Sequence, residues 1–200
     1  MGVEKNKCIF LDRDGTINVY KGLISKPEDI ELINGACEAI KLINRSDYLC
    51  IIVSNQPGVA KNLCSLKEAW EINEKLMELL DKKGAYVDDI FICPHHPDRG
   101  FPDENKEFKI KCSCRKPDTG MIELAQKKYN IDLSKSFIIG DSTIDIQTGI
   151  NCNIKTILVK TGLGGLDNIF SVKPNFLADN IYEAVKIILE GDRNDGFEKK

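Results

Sequence analysis

Two aspartates stand two residues apart in Phe10-Leu11-Asp12-Arg13-Asp14-Gly15-Thr16-Ile17-Asn18, where an apolar run gives way to a glycine turn. For an isolated pair of this kind, two solvated acids at a strand end are the commoner explanation, but the whole D-x-D-G-T context is far more specific. Residues 7–11 are predicted as a short strand buried on both faces and ended by Gly15-Thr16. The carboxyl end of such a strand opens into the crevice where α/β sheets bind ligands. A carboxylate placed there can take up a phosphoryl group as an aspartyl-phosphate. A second one, two residues on, can protonate the leaving alcohol and later deprotonate water. Asp12 is read as the nucleophile and Asp14 as the general acid and base.

Three further clusters fit the same chemistry. Ser54-Asn55-Gln56 offers a hydroxyl and amide donors to phosphate oxygens, and Arg115-Lys116-Pro117 offers two cations, with Lys116 suited to act as a point charge on phosphate. Gly140-Asp141-Ser142-Thr143-Ile144-Asp145 adds two acids. An aspartate at a strand end can also serve as a helix cap, which is the plainer reading of Asp141. Phosphate and carboxylate repel, and magnesium, content with one or two carboxylates plus phosphate oxygens and water, removes the conflict. Asp12 and Asp141 are its natural ligands.

The cysteines carry a second signal. Of 8 in the chain, Cys8, Cys37, Cys50 and Cys152 fall in or beside predicted core elements, as small buried hydrophobes do. Cys93-Pro94-His95-His96-Pro97 and Cys112-Ser113-Cys114 instead bracket a segment broken by Pro97, Gly100 and Pro102 and lacking hydrophobic period. A loop this long inside a compact domain needs a reason. Three thiolates and one imidazole, from His95 or His96, suit tetrahedral zinc. Such a closed site is structural: it pins a loop that cannot fold on its own apolar contacts.

These residues need a frame, and strands alternate with helices along the chain, which implies a largely parallel sheet covered on both faces. Strands are predicted at 7–11, 49–53, 89–93, 136–139 and 155–159. Helices are predicted at about 35–44, 66–83, 118–129 and 181–189, with a polar excursion at 18–31. Residues 1–190 are expected to form one domain, with its zinc loop at 93–114, and 191–200 a loose tail.

The chain has 200 residues and a net charge of -3, so it provides no general basic field for a polyanion. Nothing approaches the ~20 apolar residues of a membrane span, and the first residues lack the apolar core of a secretory signal. A cytoplasmic monomer acting on a small molecule, with no nucleic-acid or membrane partner, is expected.

In order, Asp12-Arg13-Asp14-Gly15-Thr16, Ser54-Asn55, Lys116 and Gly140-Asp141 with Asp145 resemble the four motifs of the haloacid dehalogenase superfamily. Within it, the first run through Asn18, the Cys93-Pro94-His95-His96-Pro97 run and Cys112-x-Cys114-Arg115-Lys116-Pro117 resemble the D-glycero-D-manno-heptose-1,7-bisphosphate 7-phosphatase family, over roughly residues 7–190. The resemblance implies a three-layer Rossmann-like fold with a central, mostly parallel sheet and no large cap. The early flap and the zinc loop would then partly enclose a phosphorylated sugar. It implies a magnesium-dependent phosphatase using Asp12, Asp14, Ser54 and Lys116. The backbone carbonyl of Asp14 would join Asp12 and Asp141 on magnesium, and Cys93, His95, Cys112 and Cys114 would hold zinc. Asn18, Asn55, Arg115 and Lys116 would meet the substrate. Histidinol-phosphate phosphatases share most motifs but tend to have shorter metal loops. A polynucleotide 3'-phosphatase should bring a basic groove, and a non-catalytic zinc-stapled module would have no use for the four charged motif residues. One departure stands out: Ser142 follows Asp141 where some relatives carry a cation.

Overall fold

The computed structural model describes residues 5–98 and 103–197, so the predicted breakers Gly100 and Pro102 and the last three residues of the expected tail lie outside the described residues. Six strands form one sheet: β1 (Lys7–Leu11), β2 (Tyr48–Asn55), β3 (Asp89–Cys93), β4 (Phe137–Gly140), β5 (Lys155–Val159) and β6 (Phe176–Ala178). Their order is β3-β2-β1-β4-β5-β6, and every pairing is parallel. Parallel neighbours need a crossover, and five helices are available for it: α1 (Ala36–Asn44), α2 (Leu66–Asp81), α3 (Gly120–Tyr129), α4 (Thr143–Asn151) and α5 (Ile181–Phe197).

Alternation along β1 assigns the two faces of the sheet. Ile9 and Leu11 join a core shared with Ile40 of α1, Leu76 of α2 and Val185 of α5, while Cys8 and Phe10 join a second core with Met121, Ile122 and Ala125 of α3. α4 lies on the second side, where Gly149 packs against Ile138 and Thr156. This is the three-layer α/β architecture expected from the sequence. β1 stands where the chain turns from filling one side of the sheet to filling the other, so the crevice of the switch point opens beside its carboxyl end and that of β4.

Three elements differ from expectation, each for a local reason. β6 has only three residues, two of them exposed at the sheet edge, and gives no readable period. α4 has a weak apolar stripe, but Ser142 caps it: its hydroxyl accepts from the Asp145 backbone N–H, and the Asp145 carboxylate accepts from the Ser142 N–H. α5 runs to Phe197 instead of ending near Leu189, and the ammonium of Lys7 meets Asp192 at 2.6 Å on the added turns. Among the described residues, no helix is long and apolar enough to cross a membrane.

Candidate active site

Asp12 leaves the end of β1 with its backbone N–H still donating to the Ile139 carbonyl of β4, 2.9 Å away. The chain then turns tightly, and Gly15 sits at φ +87 with its Cα so close to Asp141 that a Cβ would come within 2.1 Å of Oδ2. Only glycine satisfies both the left-handed backbone and the contact. Gly162, in the loop after β5, abuts Gly15 and closes on the same carboxylate at φ +61. Leu163 N–H donates to Asp141 Oδ2 at 2.7 Å, and Gly165 N–H donates to the Asp141 carbonyl at 2.8 Å. Asp141 is thus packed tightly against two neighbouring glycine backbones. It is Ser142, not Asp141, that caps α4.

Lys116 reaches into the same space and is almost completely buried. Its ammonium donates to Asp12 Oδ1 at 2.6 Å, to Asp145 Oδ1 at 2.6 Å and to the Val53 carbonyl at 2.8 Å, which uses all three of its protons. Burial alone would lower its pKa, but Asp12 and Asp145 outweigh that and raise it, so it stays charged. Burial, with Asp145 and Asp14 adding to it and Lys116 opposing it, pushes Asp12 up to about 7. Burial, then Asp12 and Asp145, pushes Asp141 up to about 8. Three buried carboxylates face one ammonium, with ligand oxygens of Asp12, Asp141 and Asp145 within 4.8 Å of one another. That excess of negative charge is what a hard divalent cation neutralises, so the residues fit magnesium. Sequence reasoning paired Asp12 with Asp141 and placed Asp145 only in the motif. The structure adds Asp145 to the cluster, tied to Lys116 and to Ser142.

Asp12, Asp14, Ser54, Asn55, Arg115, Lys116 and Asp141 all line one cavity of about 170 Å³ at the strand ends, with Tyr20, Leu23, Leu163 and Ile169 at its rim. Two residues expected to touch substrate stand differently. Asn55 Nδ2 donates to the Lys116 carbonyl at 3.1 Å, and its Oδ1 accepts from the Lys116 N–H at 3.0 Å, so this amide clips the Arg115-Lys116 loop onto β2. Asn18 is fully buried and donates to Asp14 Oδ1 at 2.9 Å; it supports Asp14 from beneath instead of facing the cavity. Arg13, Gln56 and Asn73 complete that support; sequence reasoning gave Arg13 and Asn73 no role and offered Gln56 only as an amide donor beside Ser54. A signal existed for Asn73: it breaks the buried stripe Ala69, Leu76 and Leu80 on α2 with an amide at core spacing.

The sulfur cluster forms at the end of β3. Cys93 Sγ lies 3.5 Å from Cys112 Sγ, and Cys114 Sγ lies 3.2 Å from each of them. His95 Nδ1 is 3.3 Å from Cys114 Sγ, whereas His96 turns to Asp98; the fourth donor is His95. A tetrahedron with Zn–S bonds of about 2.3 Å has S–S edges of about 3.8 Å; the donor set fits such an ion, and the sulfurs, 3.2–3.5 Å apart, would need to spread by a few tenths of an ångström to hold it. Burial holds His95 below the ordinary imidazole range, which favours the neutral ring a metal requires. Arg115 Nη1 donates to the His95 carbonyl at 3.2 Å, linking this cluster to the cavity.

Comparison with known proteins agrees with this geometry. A family model described as "HAD-hyrolase-like" matches residues 113–184. A D-glycero-alpha-D-manno-heptose-1,7-bisphosphate 7-phosphatase of Photorhabdus laumondii is 41% identical over 159 residues, 79% of this chain and 85% of the relative. A D-glycero-D-manno-heptose-1,7-bisphosphate 7-phosphatase of Chlorobaculum tepidum is 35% identical over 191 residues, 92% of this chain and 94% of the relative. Among solved structures, D,D-heptose 1,7-bisphosphate phosphatase from B. bronchiseptica, complexed with magnesium and phosphate, superposes with a TM-score of 0.80 at 29% identity. The match covers 92% of this chain and 99% of that one. With its paired strand-end aspartates, buried lysine and cysteine-bracketed loop, the chain belongs to the D-glycero-D-manno-heptose-1,7-bisphosphate 7-phosphatase family of the haloacid dehalogenase superfamily.

Proposed function

We propose that the chain is a phosphatase that removes the 7-phosphate of D-glycero-D-manno-heptose 1,7-bisphosphate, within heptose and nucleotide-heptose biosynthesis, and leaves the 1-phosphate in place. The observation that carries the reading is the buried Asp12 carboxylate, held by Lys116 at 2.6 Å in a cavity that Asp14, Ser54 and Arg115 also line. Relatives of the family named for this reaction span most of the chain.

In the first half of the reaction an Asp12 carboxylate oxygen bonds to phosphorus. The bond from phosphorus to the C7 oxygen breaks, and Asp14 gives that oxygen its proton. In the second half Asp14 takes a proton from water, the water oxygen bonds to phosphorus, and the carboxylate of Asp12 is released with inorganic phosphate. Ser54 donates to a phosphate oxygen, the buried positive charge of Lys116 faces the phosphate while its protons hold Asp12 and Asp145, and Asn55 keeps Lys116 in place. Asp12, Asp141 and the Asp14 carbonyl would hold magnesium, which when bound would supply charge neutralisation on the phosphate. Zinc held by Cys93, His95, Cys112 and Cys114 fixes the loop that presents Arg115, whose guanidinium grips the second phosphate.

A small phosphorylated sugar, acted on by a cytoplasmic monomer, is the partner this reading requires. The net charge of -3 gives no support to a polynucleotide substrate. The test is phosphate release across both anomers of the heptose bisphosphate, histidinol phosphate and a 3'-phosphorylated oligonucleotide. The bisphosphate should lead histidinol phosphate in kcat/KM by about tenfold or more, the share of one charged hydrogen bond. A higher value for histidinol phosphate would replace the heptose reading.

A further inference from the structure

The network beneath Asp14 has a direction, and that direction reaches the substrate. Arg13 is fully buried, and its guanidinium can only donate. Nη1 donates to Asn73 Oδ1 at 2.8 Å, and Nη2 donates to Gln56 Oε1 at 3.0 Å and to Asp14 Oδ2 at 2.8 Å. Because Arg13 offers no acceptor, the Gln56 atom facing it must be the carbonyl oxygen. The carboxamide therefore has one possible orientation, with its NH2 turned the other way. That NH2 donates to Asp14 Oδ2 at 3.0 Å and to Ser54 Oγ at 2.7 Å, which uses both of its hydrogens. Ser54 Oγ must then act as acceptor toward Gln56. Its own hydrogen is left for the cavity that Ser54 lines, where an anionic phosphate oxygen can use nothing else from a hydroxyl.

We propose that Gln56, oriented by Arg13, is a positioning residue that aims the Ser54 hydroxyl hydrogen at the transferring phosphate and steadies the carboxylate of Asp14. The proposal rests on the phosphatase reading above. It adds a division of labour that no single residue type discloses: a buried cation with donors only sets an amide, and the amide sets a hydroxyl and an acid in one step. Asn73 holds the far side of Arg13 from α2, so the direction of the whole chain of bonds is anchored in a helix.

The test is a double-mutant cycle read in kcat/KM. With 4-nitrophenyl phosphate the leaving group needs no proton, so the first transfer reports phosphate donors and not the acid. Ser54→Ala in the wild-type background should lower kcat/KM about 10- to 100-fold, the loss of one charge-assisted hydrogen bond. Gln56→Glu keeps the shape but can only accept, so the Ser54 hydroxyl turns to it and is lost to phosphate. It should cost about as much as Ser54→Ala, and Ser54→Ala added to it should cost less than about twofold more. Multiplying losses, or a Gln56→Glu enzyme at the wild-type rate, would overturn the Ser54 half. Gln56→Met tests the other half independently of whether the Glu variant folds: without the amide, Asp14 is unsteadied, and the heptose bisphosphate, with its alkyl leaving group, should suffer about tenfold more than 4-nitrophenyl phosphate. Equal losses on the two substrates would make Gln56 merely structural and overturn that half. Asp12→Asn is run beside them. If it keeps turnover, the phosphatase reading itself has failed; if it is inactive while the cycle is additive, only the positioning role has.

Discussion

Asp12, Asp141 and Asp145 stand at the ends of β1 and β4 and in the first turn of α4, all on regular elements whose backbones are paired or capped. Cys93 and Cys112 come from the end of β3 and a loop 19 residues further on, and the loop cysteines, outside any helix or strand, are only partly buried against the second core. One cluster is positioned by the fold; the other positions a part of the fold. The carboxylates cost energy to gather, since burial and mutual repulsion push Asp12 and Asp141 up. The sheet holds them together regardless. For the thiols the proposed order of cause is reversed: a bound ion would supply the free energy that closes the loop. The lesson is that a metal which serves chemistry can be removed without unfolding the site, while a metal which serves architecture cannot.

The strongest way to break the comparison is to alter one member of each cluster. Asp12→Asn should abolish turnover, a loss on the order of 10⁴-fold or more for a covalent nucleophile. It should melt no lower than the wild type, because it removes a charge from a crowded site. Turnover near the wild-type rate would sink the mechanism, and a lower melting temperature would sink the claim that the fold alone holds the carboxylates. Cys112→Ser should act through architecture. Elemental analysis should find the single equivalent of zinc gone, and backbone exchange should rise across the loop while the sheet stays protected. Activity should fall about 10- to 100-fold through misplaced Arg115 and Lys116. An active, ordered variant without zinc would show that the loop stands unaided.

A smaller effect sharpens the first half of the comparison. At Gly162 a Cβ would come within 2.0 Å of Asp141 Oδ2 and 2.6 Å of the Gly15 Cα, at φ +61. Gly162→Ala must therefore move Asp141. The magnesium concentration giving half-maximal kcat/KM should rise several-fold to about tenfold, with about 1 kcal/mol of stability lost to backbone strain. An unchanged magnesium dependence would mean that Asp141 is not held by the glycine packing.

The unequal origins of the two clusters also explain what could be read from the chain. Asp12, Asp14 and Asp141 follow short apolar strands, and both the strands and the acids at their ends are visible as local patterns, whereas Lys116 is marked by the cysteine pair just before it. The cysteine cluster is legible as pairing arithmetic, which leaves His95 and His96 both open; the resemblance points to His95, and in the fold His95 stands beside Cys114 while His96 turns to Asp98. The support of Asp14 was the hidden part. Arg13, Gln56 and Asn73 come from the turn after β1, the end of β2 and the middle of α2, so no local window contains the network. The resemblance implies that Asn18 and Asn55 meet substrate; the fold shows their amides bonded to Asp14 and to the Lys116 backbone, with Asn55 also lining the cavity. Type and spacing disclose which groups can react; which of them face the cavity is decided by packing.

The smallest effect concerns pH and carries the comparison into stability. In the unfolded chain Asp12 and Asp141 titrate near 3.8, while in the fold burial raises them to about 7 and about 8. Between these values the folded protein keeps protons that the unfolded chain releases, so their contribution to stability is fully present below about pH 4 and is lost as pH rises toward 8. Magnesium reverses the sign for these two groups, since it binds the ionised carboxylates and must displace protons at low pH but not at high pH. The difference in melting temperature with and without magnesium cancels every titrating group that does not sense the ion. It should therefore widen between pH 5.5 and pH 8.5 in a calorimetric series at fixed magnesium. Each tenfold gain in affinity adds about 1.4 kcal/mol, or about 2–4 °C for a chain of this size. Zinc is kept bound throughout the series, because its own ligands, three thiols and an imidazole, must also lose protons to hold it and would add a pH trend of their own. A magnesium-dependent gap that stays constant or narrows with pH would mean that Asp12 and Asp141 are not the groups the ion relieves.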